Sequence, residues 1–152
     1  MSKRTLFFGL CFIASAAACG GGDDDGTEEE EVNCAEDTRH EEFVAGMTKA
    51  GSVWSFRLMD SLPAPPDKGD NAWTIQIDSG TGGVDDLDVT VTPFMPDHGH
   101  GTPIESVISD EGGGAYRADP VNMGMRGVWE ITVEAENDTE SDSAMFVFCV
   151  EG

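Results

Sequence analysis

The chain reads as an all-β protein: one antiparallel, immunoglobulin-like β-sandwich of about seven strands. Three observations predict this. From Val53 onward, apolar residues recur at every second position in run after run, the period of a half-buried strand. Glycine- and proline-rich stretches separate those runs. No segment carries a convincing long helix. Seven short strands with turn signals between them fit two packed antiparallel layers.

Taken in order, the first segments are of another kind. Lys3 and Arg4 precede an apolar run from Leu6 to Ala18, the pattern of a signal peptide over residues 1–18. That run is shorter than the roughly twenty residues a membrane span requires. It ends Ala16-Ala17-Ala18-Cys19-Gly20, the form of a lipobox, in which Cys19 takes a diacylglycerol and becomes the new N-terminus. The alternative is ordinary cleavage near Ala18 that leaves Cys19 a spare thiol.

Gly20 to Glu31 holds seven carboxylates and no apolar side chain. Such a stretch cannot bury enough surface to offset its chain entropy. Residues 19–32 therefore read as a lipidated cysteine and acidic linker, with a reach of at most about 45 Å at full extension. The folded domain spans 33–152. The expected location is the cell envelope, at the outer membrane or periplasmic face if two membranes are present, with the membrane met through a lipid anchor.

The net charge is −22. Such a surface repels nucleic acid and anionic headgroups, so no nucleic-acid partner is expected. Once Cys11 leaves with the signal and Cys19 is lipidated, Cys34 and Cys149 remain, one at each end of the folded part. In an oxidising compartment they should pair. The rival is a two-thiol metal or redox site, but such cysteines usually sit close together in sequence.

Within the domain, Asp37 to Ala50 reads as a weakly helical or irregular lead-in. Trp54, Phe56 and Leu58 then alternate with Val53, Ser55 and Arg57. After Pro63, Pro65 and Pro66 come Trp73, Ile75 and Ile77, and after a glycine turn Leu87, Val89 and Val91. Val107 marks a short strand before Gly112-Gly113-Gly114, and Tyr116 and Ala118 lie on the next one. Gly114-Ala115-Tyr116 suits either a tyrosine corner or a tyrosine packed at a sheet edge. Trp129, Ile131 and Val133 follow, and Ala144 to Val150 is apolar on both faces, as suits a central strand.

One constellation is unusual: Pro93-Phe94-Met95-Pro96-Asp97-His98-Gly99-His100-Gly101. In extended backbone, side chains two apart point the same way, so His98 and His100 can face one centre. Met95 lies just before them. Met123-Gly124-Met125 repeats the device with thioethers, although packing is the simpler role for Met123. Imidazole plus thioether suits copper, especially Cu(I). The other reading leaves the two histidines bonded to backbone, shaping the loop.

Three blocks carry a resemblance over roughly Ala50 to Val150: Pro63-Ala64-Pro65-Pro66-Asp67-Lys68-Gly69-Asp70-Asn71-Ala72-Trp73, then Met95-Pro96-Asp97-His98-Gly99-His100-Gly101, then Gly127-Val128-Trp129-Glu130. The chain resembles the YtkA-like family, exported β-sandwich proteins similar to the FixH-type accessory proteins of copper oxidase assembly. Relatives often carry Phe-Met-Pro-Gly before the tryptophan, where this chain has Gly124-Met125-Arg126-Gly127. Met125 therefore matches a family methionine, and the missing proline leaves its loop freer. The resemblance implies metal handling.

The expectation is thus a lipid-anchored copper-binding module, with His98, His100 and Met125 as ligands and Met95 assisting. A copper oxidase or another envelope protein is the expected partner. The alternative is a metal-free sandwich that serves structure or protein interaction. No catalytic residues are assigned. No Ser-His-Asp set, phosphate loop or HExxH motif is present, and Asp97 beside His98 has no nucleophile to serve.

Overall fold

Alternating burial turns each predicted run into a strand with one face on a common core. The computed structural model describes residues 32–151. The expected signal peptide, Cys19 and the acidic linker up to residue 31 lie outside the described residues.

Among the described residues, nine strands form two antiparallel sheets, the all-β sandwich that the sequence predicts. They are β1 (Met47–Ala50), β2 (Ser55–Leu62), β3 (Gly69–Asp78), β4 (Asp88–Met95), β5 (His100–Gly101), β6 (Val107–Gly112), β7 (Ala115–Met123), β8 (Gly127–Glu136) and β9 (Ser141–Val150). One sheet runs β1-β2-β3-β7-β6 and the other β5-β4-β8-β9. Phe56, Leu58, Trp73, Ile75 and Ile77 of the first sheet meet Val91, Trp129, Ile131, Val133 and Phe146 of the second in one buried cluster. Trp73 joins the layers, with its ring edge-on to Phe146 and Phe148 at centroid distances of 6.0 and 5.7 Å. Aromatic pairs in this geometry gain beyond simple area burial.

Two strands exceed the expected seven. The lead-in from Asp37 to Ala50, read as weakly helical or irregular, is irregular up to the edge strand β1, and a 3-10 turn, Cys34–Glu36, comes just before it. β1 is four residues long with no fully buried side chain, so it left little hydrophobic pattern to find. β5 is two residues long and lies inside the block read as a loop.

β9, expected as a central strand, lies at an edge of its sheet. Its outer face is only partly covered, since Met145 stays exposed and Cys149 is taken up by the disulfide, but its open edge is not bare. The Glu41 backbone N–H donates to the Val147 carbonyl, the Glu41 carboxylate accepts from the Val147 N–H, and Phe43 stacks edge-on against Phe148. The lead-in covers the open edge, a common protection for edge strands.

Tyr116 fits neither expected role. β7 lies between β3 and β6, and the buried phenol donates to the Val84 carbonyl at 2.8 Å while accepting from the Leu87 N–H at 3.1 Å. It pins the β3–β4 connection, about thirty residues upstream, to the sheet.

Candidate metal centre

β4 delivers the central block to one end of the sandwich. Its side chains alternate outward and inward as far as Met95, where Pro96 ends the run. The N–H groups of His98 and Gly99 both donate to the Met95 carbonyl, at 3.3 and 2.9 Å. Gly99 has φ +68°, a left-handed conformation that favours glycine. The chain reverses there, and β5 sets His100 opposite Met95 and Gly101 opposite Phe94.

The extended backbone expected for the two histidines is therefore replaced by a hairpin tip. The imidazoles still meet, but across the turn: their ring centroids lie 5.6 Å apart in an edge-to-face arrangement. Both residues are exposed. The Nδ1 of His100 lies 2.9 Å from the Gly101 carbonyl oxygen. A carbonyl only accepts, so this bond places the proton on Nδ1 and leaves the Nε2 lone pair free. Metal-binding histidines are commonly oriented in this way.

Met95 departs from its expected place beside the histidines. It is buried in the core cluster, with its terminal methyl against the α-carbon side of Gly127. It forms the floor beneath the hairpin and is not a loop residue.

Met125 lies on the neighbouring β7–β8 connection. β7 ends at Met123, which is fully buried, so the two-residue alternation stops before Met125 and leaves that side chain 40% exposed. The Trp129 indole N–H donates to the Met125 carbonyl at 2.9 Å, which fixes the connection over the core. The hairpin and this connection share one end of the sandwich. Met95 touches Gly127, and the Thr102 hydroxyl donates to the Asn122 side-chain oxygen at 2.9 Å. The structure thus brings His98 and His100 together and places Met125 at the same end, with Met95 beneath.

Sequence reasoning missed Arg39. Its guanidinium is held by Asp37 on one side and grips both carboxylate oxygens of Asp97 on the other, Nη2 lying 2.8 Å from Oδ2. The Arg39 hydrogen bonds hold the Asp97 carboxyl below its ordinary value and lower Asp37 to about 2. The same bonds, first from Asp97 and then from Asp37, raise Arg39 further. No local pattern signals a pair 58 residues apart. Asp97 therefore faces Arg39 in this structure.

The disulfide closes the same region. Cys34 and Cys149 are bonded, with Cα atoms 5.6 Å apart, as the cysteine count predicts. Cys149 stands opposite Val128 on β8, one residue from Gly127. The lead-in that carries Arg39 is thereby fastened to the last strand.

Among the described residues, no cluster of three or more His, Cys, Asp or Glu could hold a metal ion. Residues 48–134 match a family model described as YtkA-like, a span that contains the hairpin and Met125 but neither Arg39 nor the two bonded cysteines. No curated protein and no solved structure matches the chain.

Proposed function

The chain belongs to the YtkA-like family, and from that premise we propose that it is a lipid-anchored domain of the cell envelope that binds copper(I) through His98, His100 and Met125. The observation that carries this reading is the imidazole pair at the hairpin tip, 5.6 Å between centroids, with the Nε2 of His100 left free by its bond to Gly101. Met125 supports it as an exposed thioether on the adjacent connection. Two imidazoles and a thioether fit a soft monovalent ion better than zinc, calcium or magnesium.

This chain's own residues have limited tasks. The β4–β5 turn holds the imidazoles side by side, the Gly101 carbonyl orients one of them, and the Trp129 indole fixes the backbone at Met125. Copper bound there supplies a transferable ion, for buffering or for delivery to an envelope oxidase. The second reading, a metal-free interaction domain, draws on Leu62 and Ile104, apolar residues left exposed near this end.

Anaerobic titration of the whole chain with Cu(I), against a colorimetric chelator, tests the proposal. Wild type should bind one equivalent, and the His98→Ala/His100→Ala double variant should lose that binding. Equal affinity in the two proteins, or none in either, contradicts the proposal and leaves the interaction reading.

A further inference from the structure

We propose that Arg39 sets the metal preference of this end by withholding the Asp97 carboxylate from the imidazole pair. The inference rests on the copper reading and deepens it. Asp97, His98 and His100 fall within four residues on one tight turn. Free to converge, one carboxylate and two imidazoles would form a donor set suited to borderline divalent ions such as zinc. That alternative is built into the same turn.

The geometry points away from it. A guanidinium is a planar fork of donors that matches a carboxylate at both oxygens, and Arg39 engages both oxygens of Asp97 in this way. Asp37 holds the opposite side of the fork through Nε and Nη2. The fork is thus fixed between two carboxylates. The segment behind it is also fastened, by Cys34–Cys149 upstream and by the Glu41–Val147 bonds and the Phe43–Phe148 contact downstream.

With Asp97 occupied, the side-chain donors left at the turn are imidazoles, and an exposed thioether, Met125, lies on the β7–β8 connection. Among the described residues the Arg39 side chain bonds to Asp37 and Asp97 and to none of these donors, so it acts through Asp97 as a positioning residue. The family match covers residues 48–134, so Asp97 and the histidines lie within it while Arg39 and Asp37 lie outside it. Both partners are about half-exposed, and surface pairs of this kind contribute little to stability. Arg39→Gln should therefore leave the sandwich folded.

The experiment compares Cu(I) and Zn(II) affinities, each by chelator competition, for wild type, Arg39→Gln, Asp97→Asn and the double variant. Arg39→Gln should bind Zn(II) about tenfold more tightly than wild type, the scale at which groups behind a metal's ligands act. Its Cu(I) affinity should stay unchanged, and the zinc gain should vanish in Arg39→Gln/Asp97→Asn. Asp97→Asn alone should change neither affinity, which keeps the idea testable even if Arg39→Gln folds poorly. No zinc gain in a folded Arg39→Gln, a gain that survives in the double variant, or a loss of metal affinity in Asp97→Asn overturns the inference. Absence of Cu(I) binding by wild type, with the zinc gain still present in Arg39→Gln, overturns the copper reading and leaves the carboxylate restraint standing.

Discussion

Met95 and Gly127 fit one another as side chain against bare backbone: the methionine's terminal methyl occupies the space where a side chain on residue 127 would begin. Gly127 also has φ +129°, so glycine is required twice there, by conformation and by contact. This is where the end of β4, which leads into the hairpin, meets the start of β8, which follows the β7–β8 connection.

Gly127→Ala should therefore destabilise the domain by about 1–3 kcal/mol, the range for a strained backbone position. Thermal unfolding measures it. An unchanged midpoint would mean that Met95 moves freely and the end of the sandwich is loosely built.

Removing the disulfide by Cys34→Ser/Cys149→Ser should lower stability by about 2–5 kcal/mol in urea titration. The bridge spans 115 residues of sequence, so it restrains almost the whole unfolded domain. Reductant should destabilise wild type by a similar amount and leave the double variant unaffected.

Asp142 governs acid sensitivity at the far end. Burial raises its carboxyl pKa most as a single effect, but the N–H groups of Trp54, Ser52, Val53 and Ser143 together outweigh it and hold the pKa below normal. The unfolded chain then binds the proton more readily than the folded one. The stabilisation is present above the ordinary aspartate value of about 3.9 and is lost as pH falls through the lowered folded value. Asp142→Asn should flatten stability against pH below about 4 and weaken the domain at neutral pH by about 1.5–3 kcal/mol, the worth of hydrogen bonds to a charged group. A steep acid transition kept in the variant would assign it to other carboxylates.

Anchoring has its own test. Cys19→Ala should move the exported domain from the membrane fraction to the soluble fraction and abolish labelling by a fatty-acid analogue. A membrane-bound, unlabelled variant would point to an uncleaved apolar leader.

The two-layer fold was legible because burial in a sandwich is periodic: Trp73, Ile75 and Ile77 announce their face at every second residue. β1 and β5 were not, because a four-residue edge strand and a two-residue turn strand bury too little to leave a period. β9 reads as a central strand although it lies at an edge, because the segment that covers that edge, around Glu41 and Phe43, comes from more than a hundred residues away. At the candidate centre, the His-Gly-His spacing correctly brought the rings together while misjudging the route, since Gly99 bends where an extended strand was expected. Arg39 was invisible because charge pairing across the fold has no local signature.

Copper K-edge X-ray absorption on the Cu(I)-loaded chain tests the central claim most directly, because it asks which atoms surround the ion. Imidazole nitrogen together with one sulfur scatterer is expected, and the sulfur should disappear in Met125→Leu while the imidazole signal remains. A shell without sulfur, or sulfur that persists in Met125→Leu, would contradict the convergence of the hairpin and the β7–β8 connection on a single ion.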